Sequence, residues 1–133
     1  HLRYGFVSAA REAGVAYEVL EGVTLDSPRD EIASALNACL RGRERPNGFV
    51  CVGEVTALMT MAALSDTGLT PGIEADIVAK RASPIFDNVR PRIDTVYEDL
   101  RATGRAMAEM LLRRIEGEPP EALHVLFEPE RCG

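Results

Sequence analysis

Apolar residues return at helical spacing from the first turn of the chain, at Leu2, Phe6, Ala10 and Ala13, and Gly14 then supplies a stop. No capping residue precedes this run, so it reads as the middle of a helix and the chain as a piece of something longer. The stretch AYEVLEG alternates and predicts a strand ending at Gly22. In DSPRDEIASALNACLRG the start signals of a helix stand in order. Ser27 is the expected N-cap, Pro28 takes the first helical position, and Asp30 lies three residues past the cap. Ile32, Ala35, Leu36, Cys39 and Leu40 then form one apolar stripe. RGRERPNG reads as a solvated, turn-rich loop.

GFVCVG is a near-continuous apolar run, as expected of a strand covered on both faces of a parallel sheet. A helix is expected from about Val55 to Thr67, stopping at Gly68, with GLTPGIEA as a loop and ADIVAK as the next strand. The order up to Lys80 is therefore α-β-α-β-α-β, the alternation of a parallel, doubly wound α/β sheet flanked by helices. RASPIFDNVRPR has no clean period and reads as an irregular segment at the sheet's carboxyl edge. In IDTVYEDLRATGRAMAEMLLRRIEG, residues Leu100, Gly104, Met107, Leu111 and Ile115 share a helical face. Thr95 with Glu98 fits a capping box, so the helix is expected over Tyr97 to Glu116, before Gly117. ALHVLFEPE closes the chain as a strand, and no internal repeat or linker interrupts the order.

A chain of 133 residues has room for one modest domain with a real core. No stretch reaches the length of a membrane span, which excludes a membrane partner of that kind. The net charge of -6 argues against these residues as a nucleic-acid surface, where clustered Lys and Arg are needed. Cys39, Cys51 and Cys132 form no paired motif, and two of them fall in apolar runs. Reduced core thiols in a cytoplasmic protein are the expectation.

Enzymatic motifs are missing: no GxSxG, GxxxxGK or GxGxxG pattern occurs, and no catalytic residue or cofactor is expected. His1 and His124 lack metal-ligand spacing, so no metal is expected either. Asp94, Glu98 and Asp99 read as carboxylates favoured in a helix's first turn. The junction of GFVCVG with its helix, at Gly53 and Glu54, differs in kind. Ligands of open α/β sheets lie beyond the carboxyl ends of the strands, and a second strand ends there in Lys80 and Arg81. Both ends face one crevice if the sheet is parallel. Glu54 capping its own helix, and a solvated Lys–Arg pair, are equally economical accounts.

From Leu2 to about Arg131 the chain resembles the C-terminal part of the LacI/GalR family of bacterial transcriptional regulators. RYGFVSAAREAG is similar to the family's R-x-x-G-aromatic-x-x-A helix. PNGFVCVGEVTALMTMAALSDTGL is similar to its strand, Asn-Asp turn and A-x-G helix, and ADIVAKRASP stands where the family has a strand ending in Gly-Phe-Asp-Asp. RPRIDTVYEDLRATGRAMAEMLLRRIEGE is similar to its P-x-L-T-T segment and following helix.

The resemblance implies a periplasmic-binding-protein-like (type I) effector domain of two lobes, behind an N-terminal helix-turn-helix that these residues do not include. On that pattern residues 1–92 are C-terminal lobe, 93–117 the crossover and a helix packed on the N-terminal lobe, and 118–133 the returning strand. The expected partners are a small-molecule effector, a second copy in a homodimer, and operator DNA through the missing head only. Carried over position by position, Arg3, Gly53, Glu54, Lys80, Arg81, Glu98 and Leu100 are the expected effector-binding residues. Gly53 and Glu54 stand for the family's Asn-Asp, and Arg81 for the Asp that clamps sugar hydroxyls.

Arg3, Lys80 and Arg81 would bring three positive charges to one crevice. That suits a sugar acid or sugar phosphate better than a neutral sugar, unless Glu54 and Glu98 neutralise the cations internally. Thr56 to Thr67 and Ser83 to Val89 are expected partner surfaces. Leu100, Met107, Leu111 and Ile115 would lack the N-terminal lobe here, so their helix is expected to cover a neighbouring copy or to be swapped between chains. Two other functions fit the same α/β pattern. One is the solute-binding protein of a sugar ABC transporter; the other is an enzyme using Glu54, Asp94 or Glu98.

Overall fold

Three short parallel strands, β1 (Gly48–Cys51), β2 (Asp76–Arg81) and β3 (Asp94–Tyr97), lie side by side in chain order, and β4 (Glu130–Cys132) adds antiparallel to β3. The computed structural model describes residues 2–24 and 26–132; His1 lies outside the described residues. Among the described residues four α-helices accompany the sheet: α1 (Leu2–Glu12), α2 (Arg29–Arg41), α3 (Glu54–Asp66) and α4 (Leu100–Ile115). The α/β class with a mostly parallel sheet is as expected.

The core lies on one face of the sheet. Ile32, Leu36 and Leu40 of α2 and Ala57, Met61 and Leu64 of α3 close over Cys51, Ile77 and Ala79 of the strands. Alternation along β2 explains the choice: Ile77 and Ala79 point to this face, and Val78 and Lys80 to the other. Thr60 is buried in the same layer because its hydroxyl donates to the Thr56 carbonyl at 2.9 Å. After α3 the chain turns through Gly68 at φ +74°, and Leu69 donates its N–H back to the Leu64 carbonyl, which returns an apolar side chain to the core.

The opposite face is not covered as GFVCVG led one to expect: Val50 is 51% exposed. The expected strand AYEVLEG is also absent, and its side chains explain why. Tyr17 packs edge-on against Phe6 of α1 and accepts a hydrogen bond from Arg11 Nε at 3.0 Å, so the segment is tied to a helix by side chains and forms no ladder. Ser27 does not cap α2. Its Oγ accepts from the Thr24 N–H at 2.9 Å, and Pro28, with extended backbone, stands at the cap position instead.

The capping box of Thr95 and Glu98 does not form either. Thr95 and Val96 are β-branched and sit in register with Ala79 and Lys80 as part of β3, where the Thr95 hydroxyl donates to the Cys132 carbonyl. The helix starts later, at Leu100, with Asp99 Oδ1 accepting from the Ala102 N–H at 2.9 Å. Asp94 accordingly belongs to a strand and not to a helix's first turn. The closing strand is displaced as well: ALHVLFEPE contains Pro129, which has no N–H to give, and the ladder begins only at Glu130. α4 buries none of its residues, whereas the expected partner surface over α3 exposes no large apolar residue after Val55.

Candidate functional site

Because β1, β2 and β3 run parallel, their carboxyl ends share one edge, and Gly53, Lys80, Arg81 and Glu98 all lie along it. Gly53 is the residue before α3, in extended backbone, and its carbonyl accepts from the Thr56 hydroxyl at 2.8 Å. Glu54 does not cap its own helix. Its Oε1 accepts from the backbone N–H groups of Ala82 at 3.0 Å and Ser83 at 2.8 Å, which fastens the exit of β2 to the start of α3. Burial works against the charged form of Glu54. The N–H of Ala82, the hydroxyl and N–H of Ser83 and the charge of Arg81 outweigh it, so the carboxyl is held below its ordinary range.

Lys80 and Arg81 are neighbours in a strand and therefore point to opposite faces. Lys80 Nζ lies 2.8 Å from Glu98 Oε2 on the open face, an ion pair with both partners half-exposed. Arg81 turns to the α3 side, where it pairs with Asp87 at 3.0 Å, donates to the Ser83 carbonyl and lies 5.6 Å from the Tyr97 ring centre. Its Nε is buried with no hydrogen-bond partner. Cys132 beside it, and then Asp87, hold the guanidinium more firmly protonated, against the effect of its burial.

The expected meeting of three cations does not occur. Arg3 pairs with Glu21 at 2.5 Å in a separate shallow groove that α1 forms with Tyr17 and Val19. Leu100 is exposed at the head of α4 and lines neither groove. What the fold does bring together is Lys80 and Glu98 at one end of a groove of about 350 Å³ on the open face of the sheet. Val50, Val78 and Val96, one residue from each parallel strand, line it together with Leu2 and Phe127.

Those three valines were within reach of the sequence through period-2 alternation, once the register was known. Phe127 and the Tyr97 ring over Arg81 carried no such signal. Among the described residues, no group of three His, Cys, Asp or Glu side chains could hold a metal ion. No described helix is long and apolar enough to cross a membrane. Chemically, the arrangement combines an apolar floor that can take a flat ligand face with a donor beside an acceptor.

Comparison with known proteins gives consistent results. The family model described as periplasmic binding protein-like domain matches residues 1–132. The HTH-type transcriptional repressor PurR of Proteus mirabilis (strain HI4320) is 26% identical over 131 residues, covering 94% of this chain and 37% of the repressor. The chain thus spans little more than a third of that relative's length. A regulatory protein of LacI family from Chloroflexus aggregans superposes with a TM-score of 0.81 at 23% identity, over 96% of this chain and 46% of that one. A LacI family transcriptional regulator from Arthrobacter sp. FB24, solved in complex with lactose, does so with a TM-score of 0.70 at 22% identity, over 84% of this chain and 40% of that one.

Proposed function

The chain belongs to the periplasmic binding protein-like domain family, in the form found as the effector domain of LacI/GalR-type regulators, and from that premise we propose that it is the ligand-sensing part of a transcriptional repressor. The observation that carries the reading is the shared edge of three parallel strands, where Lys80 and Glu98 line a groove and Gly53 and Glu54 lie on the same edge outside it. The effector is sugar-like. A paired Lys80 and Glu98 offer donors and an acceptor side by side, which suits adjacent hydroxyls, while the valine floor takes a ring face. The lactose complex of the Arthrobacter regulator supports that class.

An anionic effector has less support than the sequence suggested, because each of Arg3, Lys80 and Arg81 already faces its own carboxylate. The protein does no chemistry in this reading. Effector binding favours one arrangement of the lobes over another, and it shifts the equilibrium only by its difference in affinity for the two. Operator DNA is reached through a head outside these residues, in the cytoplasm, by a homodimer. In this reading the lobe is taken to extend to the Asp99 cap and not to end at residue 92, which the pairing of β3 within the sheet supports.

Differential scanning fluorimetry with a panel of neutral sugars, sugar acids and sugar phosphates tests the reading. At about a hundred times its Kd a bound effector adds roughly 2.7 kcal/mol of stability. A neutral sugar is expected to raise the melting temperature, and Lys80→Met to abolish the rise. A response to acids alone would restore the anionic effector, and no response across the panel would remove the sensing role.

A further inference from the structure

Only Glu98 and Asp99 separate β3 from α4, so the direction in which α4 leaves the sheet is decided at two residues. Among the described residues no helix or strand packs extensively against α4, so packing does not set that direction. Hydrogen bonds do. The Glu98 N–H donates to the Arg81 carbonyl at 2.9 Å, which carries the ladder between β2 and β3 one residue past Tyr97. The Glu98 carbonyl accepts from the Leu100 N–H at 3.0 Å, and the Asp99 side chain caps the helix. The Glu98 carboxylate reaches Lys80 Nζ at 2.8 Å. Backbone and side chain of Glu98 are thus fastened to consecutive residues of β2, and only the side-chain half lies where a ligand can reach it. Lys80 and Glu98 both line the groove, and both are half-exposed.

We propose that the Lys80–Glu98 pair is a pin that biases the angle of α4 against the sheet, and that a hydroxyl-bearing ligand in the groove releases it by inserting between the two charges. The release rests on the preceding reading of the ligand; the pin does not. A hydroxyl accepts a hydrogen bond from the Lys80 ammonium and donates one to the Glu98 carboxylate. Two hydrogen bonds in series hold the nitrogen and oxygen about 4.5–5 Å apart in place of the direct contact. The attraction weakens with that separation, and Glu98 moves at the root of α4. A neutral ligand suffices.

The strength of the pin sets the size of the response. A half-exposed ion pair shifts an equilibrium by about twofold to fivefold, so α4 is biased and not locked. The ligand moves the population only by what it changes in that bias. Leverage compensates: α4 has 16 residues and is about 24 Å long, so a turn of about 10° at Glu98 moves its far end by roughly 4 Å.

Residual dipolar couplings on the 133-residue chain test the proposal, because they report how narrowly the angle of α4 to β1, β2 and β3 is held. Glu98→Gln should widen the range of angles, with the population at the pinned angle falling about twofold to fivefold. Exchanging the charges, Lys80→Glu with Glu98→Lys, should restore it, a rescue that a merely structural role of either residue would not give. Sodium chloride at about 1 M should loosen the wild type in the same way, and it serves in place of Glu98→Gln should that variant fail to fold. Couplings unchanged by the substitution and by salt would overturn the pin. Lactose, present in the Arthrobacter complex, is the probe for release. A melting temperature raised by lactose together with a loosened α4 supports the release, and a raised melting temperature with α4 unmoved would overturn it. A chain that ignores lactose in fluorimetry yet loosens on substitution would uphold the pin and tell against the sugar reading alone.

Discussion

α3 and α4 are built from similar stock, largely alanine, leucine, methionine and threonine, yet one is the centre of the core and the other is bare. α3 carries its charges only at the ends, Glu54 and Asp66, and buries Ala57, Thr60, Met61, Ala63 and Leu64 between α2 and the sheet. α4 carries Arg101, Arg105, Glu109, Arg113 and Arg114 along its length, and among the described residues no helix or strand packs extensively against it. The difference teaches that periodicity names the face of a helix that wants a partner but not whether the partner is present. Placement within the layers decides how much each leucine contributes.

The sharpest way to break the comparison is to truncate the same side chain in both helices. Leu64 is fully buried, so Leu64→Ala should cost about 2–5 kcal/mol, from lost burial and the cavity left behind. Leu111 is 61% exposed, and Leu111→Ala should change the stability of the dilute monomer by less than about 0.5 kcal/mol. Urea denaturation of both variants at low concentration checks this. A cost at Leu111 approaching that at Leu64 would mean that α4 is covered within a single chain.

The two helices also differ in how they begin, and that gives a smaller effect. α3 has no side-chain cap at Gly53 and relies on packing, whereas α4, without packing, relies on Asp99. Asp99→Ala should therefore destabilise α4 by about 0.5–2 kcal/mol. Hydrogen exchange is the appropriate measurement: the amides in the first turns of α4 should exchange faster while those of α3 stay unchanged. Equal loosening of both helices would show that the cap's effect is not local.

How much of this could be read from the residues follows the same division. Alternation and the strand–helix order gave β1, β2, α2 and α3 nearly to the residue, because local pattern and packing agree there. The start of α4 was misplaced because Thr95 and Glu98 satisfy a capping pattern locally while pairing with β2 claims Thr95 for the sheet. AYEVLEG had the period of a strand, but its tyrosine went to α1. Lys80 and Arg81 were taken together because they are adjacent, although adjacency in a strand means opposite faces. The edge was thus legible, and so was Glu98 as a neutraliser of one of its cations, whereas Asp87 beside Arg81 and, away from the edge, Glu21 beside Arg3 depended on loops whose course no spacing encodes.

The smallest effect sharpens the comparison at the first residue of α3, where the helix is tied to the sheet edge through Glu54. Its carboxyl is held below the ordinary value of 4.5 in the folded chain. A lowered folded value means that the charge contributes stability at pH values above about 4.5, and that the contribution is lost as the pH falls through the lowered value. A glutamine in its place could still accept from Ala82 and Ser83 through its side-chain carbonyl, so Glu54→Gln removes the charge and keeps the hydrogen bonds. The group is only half-buried, and solvent screening limits the loss at pH 7 to about 1 kcal/mol or less. Urea denaturation of the two proteins should show this gap at pH 7, narrow below pH 4.5 and close to nothing once Glu54 is protonated. High salt should shrink the gap at pH 7, because part of it is attraction to Arg81. A gap that persists unchanged into acid would mean that the substitution disturbs the fastening of β2 to α3 itself, and that the charge contributes nothing to it.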